Sequence, residues 1–398
     1  RHQARPLHGA AALRGRLRHT TFEGPPDHLP RGPFFRSLAE TATLRMGNLP
    51  PWVIGVLAGL ASSTLYAAAS GGATPAIVLL YLSPLPIFIA GLGWGSLMAL
   101  IAGGTGLVLT SLFNGISSGV VYLAVEVAAP LWLMRLALTS RAVGGRGASA
   151  AARAARAREA HHRAVAAGEI DGPPDDLPEP EVTWYPPGLL VVWTTAIAAS
   201  LLLISILSMT VTENGLRGAI MQMINTGIVD TGELGRVLDA RGFDISPRAF
   251  LAGIASFVPA MAASLWLIMT LANMMVAQLI LVRLGRAARP TPSIAELRYP
   301  KLFLAIFPAS LLFAFLPGEA GFAGASLAAV LFIPYFLLGL ATIHAISRRW
   351  QARSAALTGF YTALVLLSPL VAVLVGCLGL ADAWMGLRER YAPDLEVA

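Results

Sequence analysis

From Trp52 to Leu380 the chain repeats long apolar runs separated by short breaks that carry Arg, Gly or Pro. Each run is about twenty residues long, the length a helix needs to cross the hydrocarbon of a bilayer. Nine spans are expected, at 52–70, 74–92, 94–113, 118–138, 188–211, 250–282, 300–316, 322–346 and 355–380. The fold class read from this pattern is all-α, a polytopic transmembrane helical bundle of about 8–9 spans. Pro369 falls inside the last run, where it would make a broken or re-entrant element.

Composition agrees with the pattern. The chain is 56% hydrophobic and 13% charged, with a mean hydropathy of +0.66, far from the soluble average. Of its 29 basic residues, Lys301 is the one lysine and the rest are Arg. That bias, with abundant Ala, points to GC-rich coding DNA and a bacterial source. The net charge of +7 is no sign of nucleic-acid binding, because eight of the Arg residues lie before position 46 and six more in one loop. No nucleic-acid partner is expected.

Short loops that hold Lys and Arg set the orientation. Residues 139–165 carry six Arg, 283–301 carry Arg283, Arg286, Arg289, Arg298 and Lys301, and 348–353 carry three more. These loops are expected on the cytoplasmic side of a bacterial inner membrane. Four spans precede the first of them, so the N-terminus is expected inside. A ninth span would put the C-terminus outside, against the charge of Arg388 and Arg390.

The pattern also divides the chain. Residues 1–46 are rich in Arg, His, Pro and Gly and lack the apolar stretch of a signal peptide. Met46 is the expected start, with the preceding residues an upstream translation artefact or a disordered basic tail. A four-helix half follows at 47–138, then a cytoplasmic basic helix and an acidic Pro-rich linker at 139–187. The second membrane half covers 188–385 and a tail 386–398. The 139–187 arm reads as a solvated linker, or as a docking arm for a partner or anionic lipid. Between the fifth and sixth spans, ENGLRGAIMQMINTGI (213–228) and GELGRVLDARGF (232–243) space their apolar residues as amphipathic helices, lying on the outer leaflet or capping the bundle.

Within the spans, small and polar residues carry the candidate chemistry. Gly55, Gly59, Ser63, Ala67 and Gly71 recur every fourth position of the first span, and Gly91, Gly95, Ala99 and Gly103 repeat the device. Such faces let helices approach closely, within the bundle or against a partner subunit. Glu126 stands in mid-span, in VVYLAVEVAAPLWLMR. A carboxylate there is costly unless protonated, paired or facing a wet cavity, which makes it a functional candidate or a structural hydrogen-bond partner. Pro130, four residues on, removes the amide that would bond the Glu126 carbonyl. Asn273 and Gln278 in the sixth span, Asn114 at a loop and His344 in the eighth are weaker versions of the same signal. In YLSPLPIFIAGLGWG (81–95), Pro84 and Pro86 should unwind a helix and expose carbonyls, which is tolerated at membrane depth only inside protein or along a cavity. Glu126, Tyr81, Asn273 and Gln278 are the expected cavity-lining residues, with Pro84 and Pro86 shaping the cavity.

The chain lacks a phosphate-binding loop, zinc-protease and nucleophile-elbow motifs, and paired catalytic carboxylates. With Cys377 its single cysteine, it offers no disulfide framework or cysteine metal site. No enzyme activity, cofactor or metal is expected. An intramembrane enzyme would have Glu126 and His344 to work with.

The words YLSPLPIFIAGLGWG, TWYPPGLLVVW (183–193) and LGLADAWMGLRER (378–390) resemble the YybS-like family of predicted bacterial membrane proteins, over about 47–390. That family is similar to the substrate-binding S subunits of energy-coupling-factor vitamin transporters and to the rod-shape membrane protein MreD. The resemblance implies a helical bundle with a small-molecule cavity, or a scaffold in an envelope complex. Partners would then be the bilayer, a membrane subunit of either assembly and a small-molecule ligand. This chain has more spans than compact S subunits and a long central loop. The resemblance assigns no binding residue.

Overall fold

The computed structural model describes residues 50–68, 74–142, 182–210, 231–294, 297–368 and 370–391, and in these the apolar runs are helical. Six helices are long and apolar enough to span a membrane, and three shorter apolar ones accompany them among the described residues. The expectations for residues 1–46, for most of the central arm, for 213–228, for Gly71 and for Pro369 lie outside the described residues.

The first half opens with α1 (Pro51–Ala68). The expected second span is two helices, α2 (Thr74–Leu82) and α3 (Leu85–Trp94). Gly95, at φ 96°, turns α3 directly into α4 (Ser96–Asn114), and Gly115, at φ 90°, turns α4 into α5 (Ile116–Tyr122). A single residue makes each turn because glycine alone adopts that backbone conformation without strain. The fourth span continues through one π turn, Leu123–Val127, into α6 (Ala128–Ala137).

Gly55 and Gly59 set α1 against α4. A Cβ on Gly55 would meet Met98 O and the Ile101 side chain, and one on Gly59 would meet the Ala102 carbonyl. Ser63 is buried and Ala67 half-buried on the same helix. The small-residue face of the first span is therefore occupied from within the bundle. Gly95 does not extend a second such face, since it is the turn itself. Gly91 makes room for Met134 and Ala99, and Gly103 for Val127.

A short antiparallel pair, β1 (Ser140–Ala142) and β2 (Val182–Trp184), closes the base of the central arm, with Arg141 opposite Thr183. The hydrophobic pattern held no sign of it, because three-residue strands leave no periodicity to read. The second half runs through α7 (Pro187–Thr210), α8 (Thr231–Ala240), α9 (Pro247–Arg283), α10 (Lys301–Phe313) and α11 (Gly318–Ser347). The amphipathic reading of 232–243 holds for α8, which buries Leu238 and packs against α9. At 37 residues α9 is about 55 Å long, more than a bilayer's hydrocarbon needs. It joins the two halves, placing Ala277 and Leu281 in one core with Ile87, Phe88 and Met134, and Trp266 and Leu267 in another with Leu202 and Val330.

The last expected span is broken, as its proline allowed, into α12 (Arg353–Leu366) and α13 (Leu370–Met385), with a final turn α14 (Leu387–Tyr391). Glu389 pairs with Arg298 at 3.0 Å. α14 therefore lies on the side of the basic loop before α10, where one unbroken span would have put it opposite. Asp382, buried in α13, accepts from the backbone amide and Nε of Arg388, both at 2.8 Å, which folds α14 back after Gly386.

The outside of the bundle is hydrocarbon. Phe113 is 77% and Phe315 87% exposed, with Leu112, Leu302 and Val365 similarly bare. Water would oppose so much apolar surface, whereas lipid tails accept it. The protein is thus an all-α polytopic membrane bundle.

Candidate functional site

The break after α2 follows from Pro84 and Pro86, which lack the amides that would bond the carbonyls of Leu80 and Leu82. The Ser83 amide turns back to Leu80 O at 3.0 Å, and Phe88 N donates to Pro84 O at 3.0 Å to start α3. The Tyr81 carbonyl is met from α9, where Asn273 Nδ2 donates to it at 2.6 Å. Ser83 itself is fully buried and donates its hydroxyl to Glu126 Oε2 at 2.8 Å.

Glu126 sits in the π turn, 5% exposed. Across that turn the backbone bonds reach five residues, as Ala128 N to Leu123 O shows. At that spacing the amide missing from Pro130 faces Val125 rather than Glu126. The Val125 carbonyl accordingly accepts from the Trp266 indole at 3.1 Å. Proline-freed carbonyls recur in the second half. Pro308 frees Leu304 O, which accepts from Tyr335 OH at 2.7 Å. In hydrocarbon such groups find partners inside the protein.

One turn before the acid, Tyr122 shares a hydrogen bond of 2.6 Å with Ser62 of α1 and meets the edge of Tyr66 at 5.1 Å. Tyr66 and Tyr81 lie near Glu126. The result is a buried seam linking α1, α2, α5, the π turn and α9 around one carboxyl group. Its chemistry is that of an intramembrane acid with one hydroxyl donor, able to hold a proton or a polar contact. Asn273→Ala is expected to leave the Tyr81 carbonyl without its donor and to lower stability by about 1 kcal/mol. The midpoint of reversible unfolding in mixed micelles would read it, and an unchanged midpoint would contradict the bond.

The fourth expected cavity residue, Gln278, lies elsewhere. It lines a cavity of about 360 Å³ walled by α7, α9, α11 and the 289–297 loop, with Leu190, Leu271, Met274, Leu337 and Leu340 among its apolar lining. Tyr81, Asn273 and Glu126 belong to the seam and are not in this lining. Pro84 and Pro86 shape the seam. The Gln278 amide donates to the carbonyl of Arg289 at 2.7 Å and so holds the loop in the bundle. Arg289 is 7% exposed, donates Nη1 to Ala137 O at 3.0 Å and stacks its guanidinium 5.8 Å from the Trp184 ring. Burial pulls its pKa below the ordinary arginine value. At the far wall His344 Nε2 and Tyr361 OH are 2.8 Å apart. His344 and Glu126 therefore belong to separate places, and the pairing an intramembrane enzyme would use is not formed.

Sequence reading missed Arg289, Tyr361 and Trp184. Arg289 had been weighed only as a loop charge. The signal available was the stiff Arg-Pro-Thr-Pro word at 289–292, but nothing local says that such a loop folds inward.

Comparison with known proteins adds one match. The family model described as predicted membrane protein (DUF2232) matches residues 184–383, from β2 to the end of α13. No curated protein and no solved structure matches the chain. The matched half holds Asn273, Gln278, Arg289 and all of the cavity lining except Leu92 and Ala137, while Glu126 lies before it. By this match and by its bundle of apolar helices, the chain belongs to the DUF2232 family of predicted membrane proteins.

Proposed function

We propose that the protein is a small-molecule binding subunit of the bacterial inner membrane, of the S-component kind, that works with a partner for energy. The observation that carries this reading is the cavity of about 360 Å³ with Gln278, Arg289, His344 and a few hydroxyls set in a largely apolar wall. A largely apolar hollow with a few converging polar groups is the common form of a small-molecule site, and its volume is near the lower end of that class. The resemblance of its sequence words to the YybS-like family, a family similar to energy-coupling-factor S subunits, supports the same reading. The chain is a binding component rather than an enzyme, with its N-terminus in the cytoplasm, as the Arg-rich loops favour.

The rival reading is a scaffold of envelope or cell-shape machinery, suggested by the similarity to MreD. It would use the small-residue face of the first span, where α4 covers Gly55 and Gly59, and the 139–187 arm. Purification of the full chain in nanodiscs, followed by mass spectrometry of what accompanies it, separates the two. A co-purifying small molecule, or an ATPase with transmembrane coupling subunits, is the expected result. Envelope proteins alone, with no ligand, would overturn it.

A further inference from the structure

The cavity has a chemical bias that its volume alone does not express. Arg289 is buried, yet its Nε–H has no hydrogen-bond partner. Its Nη1 is held by a neutral carbonyl, and among the described residues no carboxylate pairs with it. A buried cation is costly unless an anion and further acceptors meet it. Two more cations stand near. Arg348 donates to Ser293 Oγ in the cavity wall at 3.1 Å, and Arg348 and Arg353 are both close enough to His344 to act on it electrostatically. The described lining contains no acidic residue.

Most of the wall is hydrocarbon, supplied largely by leucine, isoleucine and methionine, with the hydroxyl groups of Thr291, Ser293 and Tyr361 among them. Ile268, Met275 and Ile294 line the cavity and are also partly exposed, so its mouth opens among apolar side chains. An occupant that enters there must itself be largely apolar. One that also carries an oxyanion offsets the buried charge of Arg289, which a neutral acceptor does not.

Resting on the small-molecule reading above, we propose that the cavity holds an amphiphilic anion, its apolar body between α7, α9 and α11 and a carboxylate or phosphate oxygen on the Arg289 guanidinium. The carrier of that chemistry is either an anionic lipid of the bilayer or a free amphipathic acid. Gln278 has a positioning role, since its bond to the Arg289 carbonyl keeps the loop, and with it the guanidinium, at the cavity.

The test compares dodecanoate with dodecanol, equal in length and differing in charge, on the full chain in phosphatidylcholine nanodiscs. Native mass spectrometry counts the molecules retained. Dodecanoate is expected to bind roughly tenfold to a hundredfold more tightly, the range of a charge-assisted hydrogen bond. Arg289→Gln should remove that preference and leave dodecanol binding in place, while Arg289→Lys should keep part of it. Equal binding of the two probes by the unaltered protein, or a preference that survives Arg289→Gln, would overturn the anionic assignment and leave the small-molecule reading intact. Binding of neither, with nothing co-purifying, would overturn the reading beneath it. The unaltered protein decides the matter even if a variant fails to fold. Repeating the assay with phosphatidylglycerol separates the carriers: displacement of dodecanoate supports a bilayer lipid, and retention supports a free acid.

Discussion

Gly379→Leu is expected to force α13 off α11 and to cost about 3 kcal/mol of stability, the upper part of the range for overpacked sites. A Cβ at Gly379 would strike the Tyr335 carbonyl and come within 2.6 Å of the Gly339 amide, and one at Gly339 would strike the Val375 carbonyl. These neighbours are backbone, so they cannot swing aside as a side chain end could. The helices must separate, and the Gly376 contact with Phe332 goes with them. Even Gly379→Ala should destabilise, although alanine favours helix by about 1 kcal/mol. Gly359 in α12 supplies the control, since nothing lies within 4 Å of its added Cβ. Gly359→Ala should therefore raise stability by about 0.5–1 kcal/mol. Unfolding midpoints of the three variants in one detergent would check this, and equal shifts at Gly379 and Gly359 would refute the close crossing.

Glu126→Ala should come next in size, at about 1–3 kcal/mol, because it strands the fully buried Ser83 hydroxyl and leaves a void in the π turn. Glu126→Gln keeps an oxygen for Ser83 and nearly the same volume, so its fold and abundance should match the unaltered protein. The two substitutions separate what the acid does. Loss confined to Ala makes Glu126 a structural acceptor for the break between α2 and α3. Loss of binding or coupled transport in Gln, with the fold intact, assigns a role to the ionisable proton. If both variants keep fold, abundance and activity, the importance given to Glu126 is wrong.

These two sites also mark how far the chain could be read without its structure. The prolines at 84 and 86 announce a broken helix because the missing amides are a covalent fact, and α2 and α3 part there. Which donor reaches the Tyr81 carbonyl depends on Asn273, nearly two hundred residues away, and no local pattern specifies that meeting. Glu126 was visible as an acid in hydrocarbon, but Ser83 was not visible as its partner. Gln278 was grouped with Asn273 by their shared helix. Five residues apart, they stand about 140° around it, so one reaches the seam and the other the cavity.

The sequence alone determined the class of the protein, because the solvent decides it: runs of about twenty apolar residues have no stable place in water, and in lipid each must close its own backbone hydrogen bonds as a helix. It determined the break at Pro84 and Pro86 for an equally local reason, since proline lacks a donor, whereas Gly95, expected on a helix face, is itself a turn. The tertiary structure decided the rest. Small-residue stripes state that something approaches closely without naming the partner, and packing chose α4 for α1 and α11 for α13. A cationic loop states its side of the membrane without stating its depth, and contacts with Gln278, Ala137 and Trp184 hold Arg289 at the cavity wall. Pairings between distant segments are settled by the joint packing of all the helices, and that information is not local to any stretch of the chain.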